Sequence, residues 1–189
     1  MLKRIGKEVL FSRTSSECPR NGEGSFLRLK DGSILFAYSR YCGGTNDDHA
    51  PADIYGIYSM DEGETWHRNR MLVSHEKEAN NYMSVSLLRM KNGDIGMFFV
   101  RTGKDNSCVL MMVRSADEGE TWTIPTRCIL EDGYFVVNND RVIRLASGRI
   151  LFPANYHRVV NGELDKGVFC TFASDDDGIT WHELPTRIE

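Results

Sequence analysis

No stretch of this 189-residue sequence is apolar for long enough to span a bilayer, so a membrane is not an expected partner. Helical periodicity is missing throughout. An excess of basic residues is missing too: the formal net charge is −4, which speaks against a nucleic-acid groove. Cysteine is scarce and odd in number, at 18, 42, 108, 128 and 170, with no Cys-x-x-Cys pair. The expectation is free buried thiols in a reducing compartment, not disulfides or zinc. No metal or other cofactor is expected. The start, Met1-Leu2-Lys3-Arg4-Ile5-Gly6-Lys7, is basic but has no apolar stretch of the signal-peptide kind, which gives a cytoplasmic expectation.

What remains is a soluble composition, 41% hydrophobic and 26% charged, organised around one eight-residue pattern. Ser59-Met60-Asp61-Glu62-Gly63-Glu64-Thr65-Trp66 returns as Ser115 to Trp122 and again as Ser174 to Trp181. Ser, Asp, Gly, Thr and Trp are fixed in all three copies, and the tryptophans stand 56 and 59 residues apart. A repeat of that period is a structural unit. The Gly allows positive φ, the Asp can accept hydrogen bonds from the turn's own amides, and Thr-Trp can open a strand with the indole folded over the turn. Such a staple carries no chemistry, and Trp66, Trp122 and Trp181 are expected in the core. Asp175-Asp176-Asp177-Gly178 has a superficial calcium-loop look, but the later Glu is not at the required spacing.

Between the staples each repeat reads as short strands joined by Gly turns. Val9-Leu10-Phe11 is a possible lone strand, and Ser15 to Ser25 reads as loop. Phe26 to Leu29, Lys30-Asp31-Gly32 and Ile34 to Tyr38 form a hairpin. Lys91-Asn92-Gly93 and Ala146-Ser147-Gly148 are the matching turns later on. Strands at Ile54 to Tyr58, Val109 to Val113 and Val168 to Phe172 lead into the three staples, the last after a loop from His157 to Lys166. The fold class predicted is all-β, with β-propeller blades of four antiparallel strands at about 20–75, 76–132 and 133–189.

The repeated octapeptide is similar to the Asp-box of sialidases, and the hairpin Leu29 to Leu35 fits the same pattern. The stretches Arg20 to Leu27 and Gly133 to Arg141 also look like a bacterial sialidase-like branch. The resemblance, to the sialidase-like (neuraminidase, BNR repeat) propellers, covers the whole chain and implies half of a six-bladed ring. It implies removal of a terminal acidic sugar from a carbohydrate or glycoconjugate partner. Ring closure would come from missing C-terminal blades or from a homodimer. The family's Arg-Ile-Pro motif is absent: Arg20 stands nearby in Pro19-Arg20-Asn21, and strict spacing puts Glu23 closer to that place.

Function is expected on the rim, where the loops leading into each innermost strand and the loops joining second and third strands gather. Asp47 and Asp48 occupy the loop that holds the family's acid/base Asp, with His49 beside them as a group that orients the Asp or meets the sugar. Arg20, Arg40 and Arg141 are candidates for bidentate carboxylate binding, with plain surface charge the alternative, favoured at Arg40. Asn80, Asn81, Asn139 and Asp140 offer donors and acceptors for hydroxyls, the doubled Asn at 80–81 and 138–139 being read at one register. Glu23 and His157 complete the candidates, and Tyr41 and Tyr82 are the aromatics placed for stacking. His67 and His182, each following a box Trp, read as structural, and His75 lies in a connection. A non-catalytic carbohydrate- or protein-binding propeller and a polysaccharide lyase on the same scaffold are the alternatives.

Overall fold

The computed structural model describes residues 6–10, 12–160 and 163–188. Among these residues every regular element is a strand, so no helix is long and apolar enough to cross a membrane. Thirteen strands belong to one hydrogen-bonded sheet, arranged as three antiparallel units laid side by side. The first unit is β1 (Arg20–Arg28), β2 (Ile34–Tyr41), β3 (Ala52–Ser59) and β4 (His67–Val73). The second is β5 (Ala79–Arg89), β6 (Ile95–Gly103), β7 (Cys108–Ser115) and the short β8 (Thr126–Arg127). In the third, the innermost strand is split into β9 (Tyr134–Val136) and β10 (Ile143–Arg144). Both pieces pair with β11 (Ile150–Val160), which is followed by β12 (Glu163–Ser174) and β13 (His182–Glu183). Parallel bridges at Ala52↔Asn81 and Cys108↔Tyr134 join the units. This all-β arrangement is that of part of a β-propeller.

The octapeptide turns bond as the sequence predicts, but their tryptophans are half-buried instead of core: Trp122 and Trp181 pack against the core, and Trp66 packs on Phe26 and Phe36. In the first, Asp61 accepts the Thr65 amide at 2.8 Å and the Thr65 hydroxyl at 2.6 Å, while the Ser59 hydroxyl accepts the Gly63 amide at 2.8 Å. Asp117 and Asp176 do the same for Thr121 and Thr180. These bonds, the Thr hydroxyl's first, hold all three Asp carboxyls down at about 2. The fourth box residue is also left-handed, with φ of 59°, 58° and 64° at Glu62, Glu118 and Asp177. That strained conformation aims its side chain sideways. Glu118 accepts from Arg89 of its own unit at 2.6 and 2.8 Å and from the Lys30 amide of the first unit at 2.9 Å. Asp177 likewise accepts from Arg144 at 2.6 Å and from the Lys91 amide at 3.1 Å. All three boxes are thus turn staples, and the second and third are also clamps on the preceding unit.

The core lies between neighbouring units, filled by residues such as Leu35, Ile54, Met97, Phe99, Phe135 and Phe152. Trp181 meets Phe152 of its own unit at 5.2 Å and Phe98 of the second at 6.0 Å. His67 and His182 begin the outer strands β4 and β13, as read. His75 gains a partner, its ring Nδ1 standing 2.7 Å from Asp53.

Several expectations are corrected. Cys18 and Cys42 form a disulfide; only Cys108, Cys128 and Cys170 are free, and all three are buried. The two bonded cysteines lie 24 residues apart in separate polar loops, and the strand pairing of Arg20 with Tyr41 draws those loops together. The segment 15–25 is not loop throughout, because β1 begins at Arg20. Gly6 to Leu10 is not strand, and Phe11 lies outside the described residues. The segment 157–166 is strand on both sides, with pairing as far as Val160↔Glu163; Asn161 and Gly162 lie outside the described residues.

Candidate functional site

The innermost strands determine where side chains gather. Each departs from regular pairing at a similar level. In β1 the register shifts between Asn21 and Gly24, and in β5 between Met83 and Ser86. In the third unit, residues 137–142 leave the ladder between β9 and β10. A bulge re-aims side chains that a regular strand would send into the sheet faces. Here the three departures border one cavity of about 620 Å³.

Six of the predicted residues line it: Arg20, Glu23, Asp48, His49, Asn139 and Arg141. Arg20 forms an ion pair with Asp48, donates to the Asn46 carbonyl at 3.2 Å, and lies 4.4 Å over the Tyr41 ring. The hydrogen bond to Asp48 raises the Arg20 pKa. Asn139 donates to Glu23 at 3.3 Å, closing the cavity between the third and first units. Arg141 is fixed through its backbone, whose amide donates to the Ser86 hydroxyl at 3.0 Å; among the described residues no ion pair holds its guanidinium. The Asp48 side chain is 70% exposed, so the described residues do not build the dry wall that a general acid calls for.

The other six stand elsewhere. Asp47 caps the turn that carries Asp48, accepting the His49 amide at 2.7 Å. Arg40 faces the outer side of the first unit, 5.1 Å from the Tyr55 ring, and borders a separate cavity of about 370 Å³. Asn80 donates to the Gly103 carbonyl at 3.1 Å. Asn81 is wholly buried, with its amide spent on the Asp48 and Ala50 carbonyls and on Thr102. Asp140, with φ of 53°, accepts from Ser25 at 2.7 Å instead of pairing with Arg141. His157 meets the Asp165 carbonyl at 2.8 Å within the β11–β12 hairpin.

The doubled asparagines do not share a register. Asn81 pairs with Thr102, seven residues after Ile95; the residue pairing with His157, seven after Ile150, is Tyr134. Tyr41 stands at the same place in the first unit, opposite Arg20. Strand pairing thus makes Arg20, Asn81 and Tyr134 equivalent, although Arg20 and Asn81 stand 14 residues before their isoleucine and Tyr134 stands 16. Spacing in the sequence therefore does not point to Tyr134, which lines the cavity. Ser84, also lining it with a left-handed φ of 59°, gave no signal in the sequence. Tyr82 is fully buried against Phe99, and Tyr41 is buried beneath Arg20, so neither is a free stacking face. Burial pushes the Tyr41 and Tyr134 phenols above their ordinary range. Among the described residues no group of His, Cys, Asp or Glu stands placed to hold a metal ion.

Geometry of this kind can bind an anionic, hydroxyl-rich ligand: two guanidinium groups, one of them without an acidic partner among the described residues, stand beside carboxylate, amide and imidazole groups. Stapled antiparallel units around such a rim define the class, an Asp-box repeat protein of the propeller type. Residues 26–187 match the BNR repeat-like domain family, and the chain belongs to it. No curated protein matches the chain. Among solved structures, a Hadza microbial sialidase superposes with a TM-score of 0.71 at 19% identity, over 88% of this chain and 37% of that one. A protein of unknown function from Dyadobacter fermentans DSM 18053 gives 0.69 at 20% identity, over 90% and 55%. The leech intramolecular trans-sialidase, in complex with 2,7-anhydro-Neu5Ac, gives 0.69 at 14% identity, over 96% and 46%. At these identities the likeness is one of fold. The chain spans from 37% to 55% of the length of these three structures.

Proposed function

We propose that the chain supplies three blades, about 20–75, 76–132 and 133–189, to a six-bladed sialidase-like propeller that removes a terminal acidic sugar from a glycoconjugate. The observation that carries this reading is the convergence of Arg20, Glu23, Asp48, His49, Asn139 and Arg141, from three separate segments, on one cavity. In this reading Arg141 pairs with the sugar carboxylate. Glu23 and Asn139 meet hydroxyl groups. Asp48, held by Arg20 and flanked by His49, faces the glycosidic oxygen. The exposed side of Asp48 is covered only once the ring is closed, by further blades or by a second copy.

The test is hydrolysis of fluorogenic acidic glycosides by a complete ring. Asp48→Asn is expected to lower turnover by about a hundredfold or more, in the range of lost acid catalysis. Arg141→Ala is expected to act mainly through KM. A complete ring that hydrolyses no acidic glycoside removes the hydrolase reading. The exposure of Asp48 and its pairing with Arg20 favour a second reading, carbohydrate binding without turnover. That reading predicts glycan affinity unchanged by Asp48→Asn. An unsaturated product absorbing in the ultraviolet would indicate lyase chemistry instead.

A further inference from the structure

We infer that Asn81 is a positioning residue: from beneath, it holds the turn that presents Asp48 and His49 to the cavity. Asn81 sits on β5 with no solvent exposure. Its side-chain amide has two N–H donors, and both go to one turn in another unit. Nδ2 donates to the Asp48 carbonyl at 2.7 Å and to the Ala50 carbonyl at 2.9 Å. The carbonyl end accepts from the Thr102 hydroxyl at 2.7 Å. Carbonyl oxygens only accept, so the NH₂ end must face the turn, and Thr102 fills the other end. Both donors and one of the two acceptor lone pairs of the amide are used.

The turn's own bonds are Ala50 N to the Asp47 carbonyl at 3.1 Å, His49 N to the Asp47 carboxylate at 2.7 Å and Asp47 N to the Thr45 hydroxyl at 3.0 Å. Arg20 holds it from the cavity side, through the Asn46 carbonyl and the Asp48 carboxylate. Asp48 and His49 both project from it into the cavity. Their placement therefore depends on where the backbone of residues 48–50 is pinned, and the amide of Asn81 pins two of its carbonyls. The position is also informative by contrast. Arg20 and Tyr134, at the same register in the other two units, both line the cavity. The second unit spends this position on holding the first unit's loop. A buried, fully satisfied polar network of this kind fixes one geometry, because breaking any bond leaves an unpaired group without water.

The ligand arm of the test rests on the reading of the cavity proposed above; the backbone arm does not. Asn81→Asp keeps the side-chain shape but turns an acceptor toward two carbonyl oxygens. In the full-length protein we expect amide hydrogen exchange at His49 and Ala50 to speed up by about ten- to a hundredfold, as for loss of a buried hydrogen-bonded group. Exchange along β6 from Ile95 to Phe99, away from Thr102, should stay as it was. Affinity for free sialic acid, measured by calorimetry, should fall by about tenfold. Thr102→Val removes only the hydroxyl that fills the far end of the amide. It should give a smaller change of the same local pattern, and it serves in place of Asn81→Asp should that variant not fold. Unchanged exchange at His49 and Ala50 in both variants overturns the inference. So does acceleration spread evenly over both units, which would mark Asn81 as ordinary core. A wild-type protein that binds no sialic acid counts against the proposed function, and the exchange pattern still decides the role of Asn81.

Discussion

Removing the charge of Glu118 should destabilise the chain in a pH-dependent way. Glu118 accepts both guanidinium nitrogens of Arg89, the Lys30 amide at 2.9 Å and the Lys30 ammonium at 3.0 Å, with its side chain 27% exposed. Hydrogen bonding from Arg89 first, set against burial, brings its carboxyl from the ordinary 4.5 to about 2. At about 1.4 kcal/mol per tenfold, that is about 3 kcal/mol favouring the charged folded form. Solvent screening of a partly exposed pair reduces this to about 1–2 kcal/mol. Glu118→Gln keeps the shape and loses the charge. Urea denaturation at pH 7 should show a lower midpoint with an unchanged slope. The folded-state pKa is depressed, so the stabilisation is complete above about 4.5 and fades as pH falls toward about 2. Wild-type and variant curves should therefore converge in that window. Glu62, the equivalent residue of the first box, is 72% exposed and among the described residues meets only Arg28, so Glu62→Gln should leave the midpoint where it was. Equal losses for the two variants, or a Glu118→Gln penalty that persists unchanged to pH 2, would refute the clamp between units.

Two further outcomes follow from the same contacts. The box residues Asp61, Asp117 and Asp176, each depressed to about 2, bind protons more readily when unfolded. Stability should be level above about pH 4 and fall steadily toward pH 2, and a melt series that is flat across that range would contradict the turn geometry. Paired Cys18→Ser and Cys42→Ser changes, which open a 24-residue loop, should cost about 3 kcal/mol in urea melts and loosen Gly43 and Gly44 in hydrogen exchange. Equal stability with and without reductant would show that the bond contributes nothing.

The sequence reveals local features well because they rest on nearby residues. Ser59, Asp61, Gly63 and Thr65 satisfy one another within seven residues, so the turn follows from its own text wherever it occurs. The hairpin around Lys30-Asp31-Gly32 is equally local. The cavity's lining is legible in part: Arg20, Asp48 and Arg141 stand in loops that can be located once the repeat is known. Asn81 and Asp140 look like rim residues too, yet their partners lie across the units, in the turn at 48–50 and at Ser25. Spacing along the chain does not reveal such pairings. The Cys18–Cys42 bond was missed for the same reason: only the pairing of β1 with β2 brings the two loops together. The tip of the β11–β12 hairpin, from His157 to Lys166, is polar and so has the composition of a loop, although its backbone pairs almost to the end.

The interruption of the third unit's innermost strand also sets a timetable. Asp140 accepts from Ser25 across 115 residues, and its amide donates to the Val85 carbonyl. On a ribosome, the first unit emerges well before residue 140 has been made, with a delay on the order of ten seconds at ordinary rates of synthesis. Throughout that delay the inner bulge of β1 waits without its third-unit partner. The rim around the cavity is therefore completed only once residues 139–141 have emerged, and slower translation between residues 89 and 140 would prolong the exposure of the first two units' inner surface.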